Sequence, residues 1–339
     1  MPRLCHAGQS GSYFVYDTCA LYIDRIAQVE RFEDIQGSLR TLADFVRWGA
    51  SAFNRAGLSF AHGTSSAVDE ALNLVLHAVG LNHDIPDWLL AGRLTQTEQR
   101  AVYDLLRRRV DERKPYAYIT NHARFAGLDF YVDERVLVPR SPIAELVEQG
   151  FAPWIEPEQV TRVLDLCTGS GCIAIACAHA FPDAEVDATD ISSDALAVAA
   201  INVERLHVSH QVSLQRADLF EGLAPKRYDI IVSNPPYVDA EDMASLTDEH
   251  RHEPALGLAA GDDGLDIVHR ILASASDYLA PHGILVVEVG NSRWALEEAY
   301  PDVLFTWLEF QRGQAEVFLL RADQLTAVAH GREQVSRGR

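Results

Sequence analysis

Four consecutive residues carry the most specific chemistry in the chain. Asn234-Pro235-Pro236-Tyr237 follows the apolar run Tyr228-Asp-Ile-Ile-Val-Ser233. Such a run reads as a buried strand, and the carboxyl end of a strand in an open α/β sheet faces the ligand crevice. The two prolines have no N–H and a fixed φ, so the carbonyls around them are rigid acceptors. The Asn234 amide adds one more acceptor. An –NH2 group giving its two hydrogens to two such acceptors would be held with its lone pair aimed at a cofactor. Tyr237 offers an aromatic wall for a planar group. A Pro-Pro turn leaving a strand is common in general, but it does not account for Asn-Pro-Pro-Tyr at this place.

A second constellation lies upstream. Val163-Leu-Asp-Leu-Cys-Thr-Gly-Ser-Gly171 stands where a strand turns into a helix. Gly169 and Gly171 allow close backbone approach to a ligand, and a helix N-terminus favours negative groups. The six-residue dinucleotide fingerprint is incomplete, because Ala174 occupies its last glycine position. That fingerprint tolerates alanine there, so NAD stays a formal alternative. Asp190 ends the next strand, where a carboxylate can accept both ribose hydroxyls. Asp218 follows the third strand and suits an adenine amino group. Each acid alone is as readily an ordinary helix cap. With Asp165, three strand tips offering an acid point to an adenosine ligand.

The elements that must position these residues follow from periodicity. Strands are predicted at Val163–Leu166, Glu185–Thr189, Val212–Arg216, Ile230–Ser233, Ile284–Val289, Leu304–Phe310 and Ala315–Leu320. Helices are predicted at Cys172–Phe181, Ser193–Arg205 and Leu265–Leu279. That alternation is α/β, a doubly wound parallel sheet. The last two strands are joined only by Gln311–Gln314, so they should form an antiparallel hairpin. From about Thr18 to Arg113 the spacing is helical. Leu39-Leu42-Phe45-Val46-Gly49 and Ala71-Leu72-Val75-Leu76-Val79 mark two faces, and Thr95-Gln-Thr-Glu98 is a capping box. Between them and the sheet, Phe125–Val132 and Val136–Val138 predict a β-hairpin turning at Asp133-Glu134.

The chain has 339 residues and a formal net charge of −20. Residues 1–122 hold 13 basic and 14 acidic side chains, and residues 123–339 hold 16 and 35, giving −1 and −19. Acidic surfaces keep many proteins soluble. Here the charge also counts against binding a phosphate backbone, which needs a basic face. No apolar run approaches the roughly 18 residues of a membrane span, and Met1–Ser12 lacks a secretory signal. A cytoplasmic location is expected. Cys5, Cys19, Cys167, Cys172 and Cys177 form no disulfide framework. The last three are five apart, unlike usual zinc pairs, and Ile173, Ala174, Ile175 and Ala176 lie among them, which predicts small core side chains and no metal.

Together the glycine loop, the acids and Asn234–Tyr237 resemble S-adenosylmethionine methyltransferases that modify planar nitrogens, either adenine N6 or a glutamine amide. More narrowly, the chain resembles bacterial N5-glutamine methyltransferases acting on ribosomal protein L three or on release factors. Val136-Leu-Val-Pro-Arg-Ser-Pro-Ile-Ala-Glu145 is typical of that group. Asp165–Ala178, Asn234–Asp242, Arg251–Gly261, Glu288–Ser292 and Pro301–Phe310 look like the ribosomal-protein branch. The similarity runs from about residue 22 to 325.

The resemblance implies a class I methyltransferase fold: Rossmann-like, with a mostly parallel seven-stranded sheet ending in an antiparallel hairpin. It implies an extension at 1–20, poorly ordered, and a helical substrate-recognition domain at 21–117. A β-hairpin linker at 118–140, the S-adenosylmethionine-dependent methyltransferase domain at 141–325 and a tail at 326–339 complete the chain. S-adenosylmethionine would be held by Asp165, Thr168, Gly169, Ser170, Gly171, Asp190, Ile191, Asp218, Leu219 and Asn234. Asn234, Pro235 and Tyr237 would be catalytic. Substrate contacts would come from Asn234, Pro235, Pro236, Tyr237, Arg140 and Glu145; an interdomain ion pair accounts equally well for the last two.

An amide nitrogen is a poor nucleophile, so the task is alignment and stabilisation of a nitrogen that becomes positive. Asn234 and the Pro235 carbonyl would accept the amide hydrogens, and Tyr237 would pack on the amide. The acidic stretch Asp239, Glu241, Asp242, Asp248 and Glu249 is either a solvated loop or a lure for a basic ribosomal protein. The expected partner is that protein, with no direct DNA binding and no membrane. Alternatives are a release factor as substrate, an adenine-N6 nucleic-acid methyltransferase, which the acidity of residues 123–339 opposes, and a non-enzymatic nucleotide-binding module, in which Asn234–Tyr237 would have no purpose.

Overall fold

The computed structural model describes residues 30–312 and 315–325. The expected extension at 1–20, the tail at 326–339 and Gly313 of the last connection lie outside the described residues. Two compact units divide the chain: one runs to Leu58 and over Ser65–Arg113, and the other comprises Ser59–Thr64 and Lys114 onward.

In the first unit, α1 (Leu42–Arg55), α2 (Ala67–Ala78) and α3 (Gln96–Glu112) are amphipathic helices that pack against one another. Each begins on a side-chain cap. Thr41 and Asp44 form a capping box for α1, Ser66 caps α2, and Thr95 with Glu98 forms the predicted box for α3. Replacing such a cap by alanine costs about 1 kcal/mol. Phe45, Phe53, Leu74, Val75, Val102 and Leu106 are fully buried between the helices, as is an ion pair between Arg109 and Glu70.

The second unit opens with a short hairpin of β1 (Ala123–Phe125) and β2 (Leu128–Phe130), paired Ala123 with Phe130. Its turn is Ala126-Gly127, not Asp133-Glu134 as the sequence pattern predicted. Both turn residues have positive φ, 46° and 77°, as a tight two-residue hairpin turn requires. Asp133 does head a turn, accepting from the Arg135 N–H and guanidinium, but no paired strand follows it.

The main sheet contains β3 (Arg162–Leu166), β4 (Glu185–Asp190), β5 (Val212–Arg216), β6 (Tyr228–Ser233), β7 (Leu279–Gly290), β8 (Thr306–Trp307) and β9 (Glu316–Arg321). Their order is β5-β4-β3-β6-β7-β9-β8. The first five are parallel, β9 runs antiparallel to β7, and β8 pairs antiparallel with β9. This is the class I methyltransferase architecture. The strand predicted at Leu304–Phe310 shortens to two residues; the predicted pairing of the last two strands is present.

Successive side chains alternate between two apolar layers. Val163, Ile230, Val232, Ile284 and Val286 pack with Ile173 and Ile175 of α5 (Cys172–Ala180). Leu164, Leu166, Ile231, Leu285 and Val287 face α7 (Asp266–Tyr278) through Val268, Ile271 and Leu272. α4 (Ile143–Glu148), before the sheet, and α6 (Ser193–Arg205), after α5, contribute Ile143, Leu146, Val147 and Val203 to the first of these layers. With both faces covered, the central strands read as continuous apolar runs. Strand order reverses beside β3, so a crevice opens at the carboxyl ends of β3 and β6. Among the described residues, no helix is long and apolar enough to cross a membrane.

Candidate active site

A cavity of about 650 Å³ occupies that crevice. Thr168, Gly169, Ser170, Asp190, Ile191, Asp218 and Leu219 line it on one side, and Asn234, Pro236, Tyr237 and Arg140 on the other. The strand tips thus bring together eleven of the residues singled out in the sequence.

On the β3–β5 side, the loop between β3 and α5 is held from below and from the flank. Asp165 is fully buried and does not line the cavity; it accepts from Thr168 Oγ1 at 2.6 Å and from the Ala174 N–H at 3.1 Å. Burial lifts its pKa to about 7, against the pull of those two donors. Gly171 also lies off the cavity. Its φ is +80°, and a Cβ there would stand 3.2 Å from Ala199 Cβ and 3.3 Å from Ile175 Cδ1. Helix packing, not ligand approach, demands glycine at that position. Gly169, at φ +55°, has open space on its Cβ side and does face the cavity.

Asp190 ends β4 and lines the cavity. Its Oδ2 accepts the Gly169 N–H and its Oδ1 the Ser192 N–H, both at 2.9 Å. Burial raises its pKa, opposed by these donors. Each oxygen keeps a lone pair for a further donor. Ile191, 46% exposed, and Leu219 offer apolar surface beside Asp218. Asp218 pairs with Arg270 of α7 at 2.9 Å, and Arg270 also lines the cavity.

On the β6–β7 side, the Asn234 side chain makes no hydrogen bond among the described residues, leaving its amide to a ligand. Pro235 is buried and does not line the cavity, whereas Pro236 does. Tyr237 donates its hydroxyl to Glu288 Oε1 at 2.9 Å, and Ser141 donates to Glu288 Oε2. Burial raises the Glu288 pKa, against those two donors. Burial, then the charge of Glu288, also pushes the Tyr237 phenol up, so it stays protonated and donates. The ring rests on Gly290, at φ +54°, where a Cβ would come within 2.4 Å of Tyr237 Cε2. Only glycine allows that approach.

Arg140 lies along the cavity and forms a two-pronged ion pair with Glu253, whose oxygens also take the Val138 N–H at 3.1 Å. Burial disfavours the Glu253 carboxylate, but the neighbouring His62 ring and the hydrogen-bonded Arg140 guanidinium outweigh it and bring its pKa to about 2. Glu145 is placed elsewhere. Its carboxylate accepts the backbone N–H groups of Gln311 and Arg312, so it caps that loop and does not line the cavity. The acidic stretch also divides. Asp239 caps the helix Ala240–Ser245 and Glu249 is buried on the Ser59 N–H, while Asp242 lines the cavity.

Four positions were missed in the sequence. Glu288 is a lone acid inside an apolar strand, and Asn202 a lone amide on an apolar helix face; either oddity could have marked them. Asn202 is fully buried and donates to the Ser170 and Tyr131 carbonyls at 2.9 Å, pinning the glycine loop. Glu253 and Arg270 carry no local signal that separates them from surface charges.

Residues 150–250 match the family model described as methyltransferase small domain. A ribosomal protein uL3 glutamine methyltransferase of Xanthomonas campestris is 52% identical over 85% of this chain and 94% of its own length. A protein of the same name from Francisella tularensis is 47% identical over 87% of this chain and 95% of its own length. The human methyltransferase 10 domain containing protein, a solved structure, is 18% identical, with a TM-score of 0.42 over 58% of this chain and 89% of that one.

Proposed function

The chain belongs to the ribosomal protein uL3 glutamine methyltransferases, and from that premise we propose that its cleft transfers a methyl group from S-adenosylmethionine to a glutamine side-chain nitrogen of uL3. The observation that carries this reading is Asn234, with an uncommitted amide, beside a Tyr237 ring fixed by Glu288 and Gly290 at the end of β6.

The residues on the β3–β5 side fit the cofactor. Asp190 has lone pairs for ribose hydroxyls, Ile191 and Leu219 supply apolar surface for an adenine face, and Gly169 leaves room where a side chain would project. The cavity is in the size range of small-molecule sites, about 300–1,000 Å³. When bound, S-adenosylmethionine supplies a sulfonium-activated methyl that needs no further activation.

The protein's task is then to hold the acceptor. The Asn234 side chain lines the cavity, and its oxygen accepts one amide hydrogen. The Pro235 carbonyl, on a buried residue behind the cavity wall, takes the other once the glutamine inserts, and together they turn the nitrogen lone pair outward toward the methyl. Tyr237 packs on the planar amide. As the N–C bond forms and the S–C bond breaks, the nitrogen becomes tetrahedral and positive, and the same two acceptors stabilise it. One N–H proton would then be lost to water, leaving a neutral methylated amide for Asn234 and Tyr237 to release. The Tyr237 hydroxyl is committed to Glu288, so it positions the ring and takes no proton.

The substrate is a ribosomal protein, a class rich in Lys and Arg, and the −19 charge of residues 123–339 favours a basic protein over a nucleic acid as the owner of the nitrogen. Tritiated cofactor incubated with undermethylated uL3, release factor and DNA side by side tests the reading. Label in uL3 is expected. Label only in DNA or only in release factor overturns the assignment.

A further inference from the structure

One side-chain cluster beside the cleft extends beyond the Arg140–Glu253 pair. His62, His250 and Glu253 each place a ligand-type atom within 4.8 Å of the other two. His62 is 2% exposed, and neither of its ring nitrogens has a hydrogen-bond partner among the described residues. Its Nε2 stands 3.4 Å from Glu253 Oε2, an ion-pair distance that misses hydrogen-bond geometry. A buried polar group left so costs about 1–3 kcal/mol and calls for an explanation. We propose that these three side chains form a binding site for a divalent transition-metal ion of the zinc class.

The geometry is close to what such an ion needs. With ligand bonds of about 2.0–2.1 Å, the edge of a tetrahedral site is about 3.3 Å, which the His62–Glu253 separation already meets. The His250 ring is tilted over that of His62 with centroids 4.4 Å apart, and it lines the cavity, where it has room to turn. Thr247 Oγ1 lies 2.9 Å from His250 Nδ1 and leaves Nε2 to ligate. A ligating imidazole fixed through its other nitrogen is the usual arrangement at metal sites. Arg140 orients Glu253 in the same way; Oε1 already accepts the Val138 N–H and Arg140 Nη1, while Oε2, which accepts Arg140 Nη2, retains a second lone pair on the side of His62.

The surroundings favour a cation. Glu249, whose Oε1 accepts the Ser59 N–H, and Glu253 are both buried, against the single guanidinium of Arg140. Two imidazoles and a carboxylate are borderline ligands that suit zinc and exclude calcium or magnesium, which take oxygen ligands. A bound ion would staple the Ser59–Thr64 segment to the loop around residues 247–257, both in the second unit. The sequence reading expected no metal and considered only cysteines. These histidines escaped it because they lie far apart in the chain and share no motif spacing.

The test uses untagged full-length protein freed of metal by a chelator and titrated with Zn²⁺ alone, and with Co²⁺ alone for spectroscopy. Saturable uptake of one ion per chain is expected, with a higher unfolding temperature and X-ray absorption showing two imidazoles in the ion's coordination. H62Q and H250Q should each weaken uptake at least about tenfold, while cofactor binding confirms that the variants fold. If the variants do not fold, the wild-type spectra alone decide. No saturable uptake, or coordination without two imidazoles, overturns the proposal in favour of a plain His62–Glu253 ion pair.

Discussion

At the tips of β4 and β5 the carboxylates of Asp190 and Asp218 line the cleft itself. At the tip of β7 and in the loop at 250–253, Glu288 and Glu253 are buried and reach the cleft only through Tyr237 and Arg140. The two sides therefore use acids differently. In the proposed function an acid on the first side is a direct acceptor for a ligand's hydroxyl or amino group, and losing it should weaken binding. On the second, an acid fixes a side chain that lines the cavity, Glu288 holding Tyr237 and Glu253 holding Arg140, and losing it should loosen the alignment the proposed mechanism needs. Binding is shared among many contacts, whereas alignment depends on few.

Substitutions on the two sides should separate accordingly. The largest expected effect is Asn234→Ala, which removes an acceptor for the reacting amide. Turnover should fall by about 10²–10³-fold, the size seen when one transition-state hydrogen bond is lost, while calorimetry finds cofactor affinity largely retained. Near-normal turnover would remove Asn234 from the mechanism. Next, Tyr237→Phe and Glu288→Gln should each lower kcat about tenfold, or about 1.4 kcal/mol, with cofactor affinity unchanged. If they instead weaken the cofactor, the division of the cleft is wrong. Conversely, Asp190→Asn should raise the cofactor Kd about tenfold and leave kcat at saturating cofactor nearly intact.

A smaller effect concerns stability. Asp165 has a folded pKa raised from 3.8 to about 7. The native state therefore holds its proton more tightly than the unfolded chain does. Its contribution is fully present below pH 3.8 and is lost as pH rises to about 7. Urea midpoints of the wild type should carry this decline, and Asp165→Asn should flatten it. An unchanged slope would mean that Asp165 is charged in the folded protein at neutral pH. Smallest of all, Glu145→Gln should leave both kcat and cofactor affinity as they are, because its carboxylate caps the Gln311–Arg312 loop. A marked loss of turnover would return Glu145 to the substrate site.

Much of this was legible in the sequence because it is local. The β6 run and Asn234–Tyr237 are contiguous, the capping box at Thr95–Glu98 is one turn long, and all seven strands of the main sheet begin within five residues of where periodicity placed them. Asp165 and Gly171 were recognised as belonging to the glycine loop, but only packing shows that one braces the loop and that glycine at the other admits Ala199 and Ile175. The hairpin turn was misplaced because Asp133-Glu134 has turn chemistry without a strand after it, while Ala126 takes a positive φ that alanine seldom adopts. Glu253, His62 and Asn202 were hidden because their partners are distant in the chain: Val138 and Arg140 for Glu253, Tyr131 and Ser170 for Asn202.

The central claim is that the cleft methylates a glutamine amide held by Asn234. The most direct measurement is peptide mapping of undermethylated uL3 after incubation with S-adenosylmethionine and either wild type or Asn234→Ala. The account predicts N5-methylglutamine at a single site with the wild type, and an unmodified peptide with a variant that still binds cofactor. Methylation on another residue type, or an equal yield from the variant, would contradict it.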